Sequence, residues 1–188
     1  MVRSLLMTAL FASLLTACTG GKYESPNYRV LSSEGAFELR DYPQLTLVST
    51  PMQHRGEDGS FMKLFRFIQG RNDRAEKISM TTPVLMTGSS VGTMSFVLPQ
   101  AVAQHGAPTP SNSDVTLSTV PPSRYAAYRF SGSNNPASSE VAAKKLVAWV
   151  KSHHVEMLGS PLFAYYNPPW TPGFLRRNEV LIRTASAK

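Results

Sequence analysis

The sequence predicts an α+β domain whose antiparallel sheet curls toward a barrel, with one helix from each half of the chain packed on it. Three observations carry this. From Tyr28 to Met52 apolar and polar residues alternate, as strands with one buried face require. Two stretches switch to helical periodicity, SFMKLFRFIQGRN from Ser60 and PASSEVAAKKLVAWVKSH from Pro136. The order strand, strand, helix, strand, strand occurs twice, a pseudo-two-fold repeat of elements with little residue identity between the halves.

The first eighteen residues, MVRSLLMTALFASLLTAC, place Arg3 before an apolar run from Leu5 to Ala17. That run is too short to span a bilayer comfortably and has the layout of a secretory signal. It ends in Leu15-Thr16-Ala17-Cys18, which resembles the bacterial lipobox; the alternative is a plain signal peptide that happens to contain a cysteine. The resemblance implies a signal peptide over residues 1–17 and lipidation of Cys18, with palmitate among the acyl chains. Each buried methylene contributes about 0.8 kcal/mol, so several chains make a lasting anchor. Thr19 rather than Asp follows the cysteine, which for a Gram-negative lipoprotein implies the outer membrane, facing the periplasm. Cys18 is the only cysteine, so a lipidated thiol leaves none for a disulfide or for nucleophilic catalysis.

Residues 18–26 then form a lipidated N-terminus and polar tether, and residues 27–188 one domain. Apolar residues make up 42% of the chain, enough for a core. The formal charge of +7 falls to +6 without Arg3. A basic exported protein rarely meets nucleic acid; anionic lipid, cell-wall polymer or a ligand carboxylate fits better, as does a basic surface with no specific partner.

Along the domain, YRVLSS and GAFELRDYPQLTLVSTPM read as strands, and Gly56 to Gly59 break the pattern. The first helix ends at Gly70, a C-terminal cap, with Phe61, Leu64, Phe65 and Ile68 as its core stripe. KISMTTPVLM and GTMSFVLP follow as strands, the first read as edge or bulged because of its proline. Residues 101–113 read as a polar loop. VTLSTVPP and RYAAYRFSG are strands, Asn135-Pro136 caps and opens the second helix, and FAYYNPP and NEVLIRTA close the domain.

FELRDY, FIQGRND, KISMTTPV and YYNPPWTPGFLRRNEVLI together resemble the SOUL haem-binding protein family, from about Tyr28 to Ile182. The resemblance implies a distorted antiparallel β-barrel flanked by two α-helices. It also implies binding of haem or another tetrapyrrole in an open hydrophobic cleft along the first helix and the loop before the last strand.

A haem needs a flat apolar surface, cations for its propionates and, optionally, an axial His or Met. On the first helix Met62 and Arg66 share a face outside the core stripe and Gln69 continues it. Arg66 reads equally as a propionate partner and as a snorkelling arginine covering Met62. The loop before the last strand offers Trp170, Phe174 and Arg176, stiffened by Pro168, Pro169 and Pro172. Arg177 suits the same role, or an ion pair with an acidic neighbour. Some SOUL members carry a histidine where this chain has Asp41, a poor iron ligand. His54 is then the candidate axial ligand, against the simpler reading of a solvated loop histidine. Met52, Met62 and Met80 are soft donors or core filler.

Three readings follow: a tetrapyrrole-binding outer-membrane lipoprotein that buffers or transfers its ligand, a binder of other amphipathic small molecules with a GyrI-like ligand-sensing fold, and an envelope scaffold with a vestigial cleft. No cysteine nucleophile, metal-spaced His/Asp/Glu cluster, G-x-S-x-G or phosphate loop points to an enzyme.

Overall fold

The computed structural model describes residues 23–54, 57–88, 91–133 and 135–186, so the expectations for residues 1–22, Cys18 among them, lie outside the described residues. Nine strands run β1 (Arg29–Glu34), β2 (Phe37–Tyr42), β3 (Leu45–Met52), β4 (Val84–Thr87), β5 (Gly92–Val97), β6 (Thr116–Val120), β7 (Ser123–Phe130), β8 (Leu162–Tyr165) and β9 (Asn178–Thr184). Helix α1 (Ser60–Ile68) follows β3, α2 (Gln100–His105) follows β5, and α3 (Pro136–Ser152) follows β7.

All nine strands form one antiparallel sheet in the order β1-β2-β7-β9-β8-β4-β5-β3-β6. Exchanging β2 to β5 with β6 to β9 reverses that order, so a pseudo-two-fold axis passes between β4 and β8. The duplicated order read from the sequence is therefore a duplicated topology, with β1 added at one edge. No described ladder joins the β1 edge to the β6 edge. The barrel is thus an incompletely closed, curled sheet.

Strand alternation puts two different surfaces on the two faces. One face carries Val180 and Ile182 of β9, Met86 of β4, Met94 and Phe96 of β5 and Val48 of β3, covered by α1 and α3. The other is concave and carries Leu85, Val97, Ala127, Ala164 and Leu181. Asn135 caps α3 as expected, its Oδ1 accepting from Ser138 N at 2.8 Å with Pro136 at the first position.

Three expectations need correction. The core stripe of α1 is Ser60, Leu64, Phe67 and Ile68, rotated from the predicted one. Phe61 is 38% exposed at the edge of the core, stacked on Phe65 at 6.0 Å and edge-on to Phe96 at 5.3 Å. Gly70, at φ +103°, does end the helix. Only Val84 to Met86 of KISMTTPVLM is strand, the start of β4. Thr81 and Thr82 pair instead with the chain's N-terminal segment, Thr82 N donating to Glu24 O at 2.8 Å, while Thr81 Oγ1 donates to Val97 O. Pro83, lacking an N–H, marks where the ladder can begin. Finally, the polar loop expected over residues 101–113 starts inside the short helix α2, whose first N–H, from Gln100, donates to Glu24 Oε1 at 2.9 Å.

Candidate functional site

Helix α1 packs on β3 and β5, and its outward line is the one the spacing predicts. Met62 is 46% exposed, and Arg66 and Gln69 are exposed beside it. Arg66 also borders a pocket of about 120 Å³ with Lys63 and Arg71, closed by Pro110, Ser111 and Asn112. Lys63 is held by Asp114 at 3.2 Å, and neither guanidinium has an acidic partner among the described residues. The pocket is thus sized and charged for a carboxylate. Lys63 and Arg71 were not foreseen; their signal was the i, i+3 step from Lys63 to Arg66 and a further arginine just past Gly70.

The loop between β8 and β9 projects three bulky apolar side chains. Trp170 is 83% exposed, Phe174 78% and Leu175, which sequence reasoning missed, 63%. The loop is nonetheless tightly held. Arg176 donates from Nε to Thr171 O at 2.7 Å and from a terminal nitrogen to Pro169 O. Arg177 N donates to Asn167 Oδ1 at 2.6 Å, Gly132 N to Gly173 O at 2.9 Å, and Leu175 N to Pro172 O at 2.9 Å. Arg176 therefore positions the loop, with two of its nitrogens committed to loop carbonyls. No hydrogen bond, ion pair or ring contact joins α1 to this loop among the described residues; the loop docks on the turn between β7 and α3.

His54 is exposed at φ +48° in the segment before α1, and its ring makes no hydrogen bond or ion pair among the described residues. Met52 is buried in the core. Asp41 is consumed by Arg124, at 2.8 Å, and Arg29, at 3.0 Å, and the Arg124 hydrogen bond in particular holds its carboxyl below the usual range. No group of three His, Cys, Asp or Glu side chains is placed to hold a metal among the described residues. No described helix is long and apolar enough to cross a membrane.

A second feature lies on the concave face. Arg40 and Glu179, 2% and 0% exposed, form a bidentate pair, Arg40 Nη1 to Oε2 at 2.7 Å and Nη2 to Oε1 at 3.2 Å. Arg177 adds bonds from Nε and Nη2 to Oε1 at 3.0 and 2.8 Å, and Tyr166 OH donates to Oε2 at 3.0 Å. Arg40 Nε also donates to Glu38 Oε2 at 2.6 Å and Nη1 to Tyr42 OH at 3.2 Å. The Arg40 guanidinium lies 4.3 Å over the Tyr28 ring, and that of Arg177 4.0 Å over Tyr166. Burial pushes the Glu179 carboxyl's pKa up, but the hydrogen bonds and charges of Arg40 and Arg177 outweigh it and hold it below the ordinary value. Burial likewise raises Tyr42 and Tyr166, which stay neutral. The cluster is closed on itself.

A family model described as SOUL heme-binding protein matches residues 23–183. The chain belongs to the SOUL family. SOUL proteins are a family of binding proteins, and the match covers both the α1 face and the β8–β9 loop of this member. Among curated proteins no match was found. Solved structures share the fold at low identity. The EcmrR C-terminal domain is 13% identical with a TM-score of 0.55, over 85% of this SOUL chain and 99% of that one. EcmrR in a DNA complex is 11% identical with a TM-score of 0.60, over 80% of this chain and 57% of that one. A protein from Listeria innocua described as a hydrolase is 10% identical with a TM-score of 0.57, over 82% and 94%. At such identities the likeness is one of fold.

Proposed function

We propose that this SOUL protein binds haem or a related tetrapyrrole on its outer surface, using the β8–β9 loop and the outward face of α1, and that it buffers or hands on that ligand at the cell envelope. The observation that carries the reading is the loop. A protein of this family holds Trp170, Phe174 and Leu175 in water on a backbone fixed by hydrogen bonds at Pro169, Thr171, Pro172 and Gly173. Covering one such side chain contributes about 1.5–3 kcal/mol, so a flat apolar ligand finds a strong, pre-organised contact there.

The side chains present fit the organic part of a tetrapyrrole better than its metal. Trp170 and Phe174 supply ring contacts, and Arg66, Lys63 and Arg71 a carboxylate seat. His54 stands as a lone exposed imidazole, with no partner among the described residues to orient it toward iron. The reading therefore has affinity come from ring and propionate contacts, leaving ligand exchange fast enough for transfer. Lipidation of Cys18 would hold the domain at the outer membrane by the tether of residues 18–26, placing ligand exchange in the periplasm. Titration with haemin and with metal-free protoporphyrin, followed in the Soret band, tests this. The two should bind with similar affinity, and a lack of saturable binding to either would overturn the reading.

A further inference from the structure

The concave face holds a cavity of about 210 Å³ lined by Tyr42, Leu47, Leu85, Val97, Leu162 and Leu181, with Pro26 and Pro83 at its rim. It is on the opposite side of the sheet from α1 and α3. Pockets for drug-sized ligands run from roughly 300 to 1,000 Å³, so a tetrapyrrole does not fit, whereas an apolar cavity of about 150 Å³ suffices for benzene. The available space equals about seven water volumes.

Its polarity is as informative as its size. Almost every polar group on the wall is already engaged. Tyr42 OH accepts from Arg40 and Tyr166 OH donates to Glu179. Ser95 Oγ pairs with Ser49 Oγ at 2.8 Å, and Thr87 Oγ1 accepts from Thr93 N at 2.9 Å. The charges behind Tyr42 and Tyr166 neutralise one another, with Glu179 enclosed by Arg40 and Arg177 and Glu38 paired with Arg40. One lining hydroxyl, that of Tyr125, has no hydrogen-bond partner among the described residues. Water would find a single free partner there instead of the two to four that hold a buried water. A cationic ligand would enter without a counter-ion, at a large desolvation cost, since the nearest charge to Tyr125 is that of Arg183.

We infer that this cavity is a second ligand site, which takes a small uncharged apolar molecule, a single substituted aromatic ring or a short branched alkyl group, carrying at most one neutral polar group for Tyr125. The segment before β1 borders the rim. There Glu24 O accepts from Thr82 N, Ser25 Oγ pairs with Thr82 Oγ1 at 2.9 Å, and Tyr28 packs on Tyr42 at 5.1 Å, setting Pro26 against the rim. The site is independent of the tetrapyrrole surface, so either can fail without the other.

The test uses a pair of equal shape and different charge, neopentylbenzene and benzyltrimethylammonium, with methyl NMR of the Leu and Val side chains as readout. The neutral compound should give saturable shifts confined to the Leu and Val methyls that line the cavity, Leu45 and Val120 included, and the cation should bind at least about 100-fold more weakly. Filling the space with Leu85→Trp, or more gently with Leu162→Phe, should weaken the neutral compound at least about tenfold, given how closely interiors pack, while haemin titration of the same variants stays unchanged. Absence of saturable shifts, equal affinity for the cation, or unchanged affinity in both filled variants overturns the inference.

Discussion

Glu179→Ala is the perturbation whose cost the structure defines best. The carboxylate accepts hydrogen bonds from Arg40 Nη1 and Nη2, Arg177 Nε and Nη2, and Tyr166 OH. Removing it affects the two arginines differently. Arg177, 22% exposed, can turn toward water. Arg40, at 2%, cannot, and it keeps the half-buried Glu38, the Tyr42 hydroxyl and the face of Tyr28 in place of its buried counter-ion. Stripping one partner from a buried pair costs about 3–5 kcal/mol, chiefly through the charge left behind. Against a total stability of about 5–15 kcal/mol this is a large fraction. At about 2–4 °C per kcal/mol for a domain of this size, Tm should fall by about 10 °C. Urea unfolding followed by tryptophan fluorescence would measure it. The double variant Arg40→Met/Glu179→Leu supplies the control, since a buried pair replaced by apolar groups is often neutral. It should recover to within about 2 kcal/mol of wild type, the size of a volume-conserving repacking. A loss below about 1 kcal/mol in Glu179→Ala, the level of an exposed pair, would refute the reasoning. So would a double variant as unstable as the single.

Other consequences are simpler to check. Because Arg40 and Arg177 hold the folded Glu179 below the unfolded value of about 4.3, its contribution is complete above that pH and is lost as pH falls through the folded value; Glu179→Gln should flatten this acid limb of a stability–pH profile. Asn135→Ala removes the acceptor for Ser138 N and should cost about 1 kcal/mol in urea unfolding. Trp170→Ala and Phe174→Ala, at sites 83% and 78% exposed, should leave stability within about 0.5 kcal/mol of wild type. Arg66→Glu should weaken haemin binding in a Soret titration without changing Tm, and an unchanged affinity would remove Arg66 from the site.

The strands and the repeat were legible because alternation and capping are local: Asn135-Pro136 announced α3, and Gly70 the end of α1. The phase of α1 was not, because two stripes satisfy helical spacing. Phe61, Leu64, Phe65 and Ile68 form one, while Ser60, Leu64, Phe67 and Ile68 form the one that packs, and a buried serine hides it. The Arg40–Glu179 pair escaped for a different reason. In FELRDY and RRNEV these residues fall at polar positions of alternating strands, which reads as solvent, and the partners are 139 residues apart. Only the curvature of the sheet turns that polar face inward. The exposed α1 line of Met62, Arg66 and Gln69 and the aromatic loop could be read from spacing and proline content, but the commitment of Arg176 to its own loop could not.

The central claim is tetrapyrrole binding through the β8–β9 loop, and one comparison reaches it directly: equilibrium titration of haemin into the wild-type protein and into Trp170→Ala/Phe174→Ala, monitored in the Soret band. The account predicts saturable one-to-one binding to wild type and an affinity at least about tenfold lower in the double variant, the loss expected from two uncovered aromatic contacts. Wild-type protein that fails to saturate, or a double variant that binds as tightly as wild type, would contradict it.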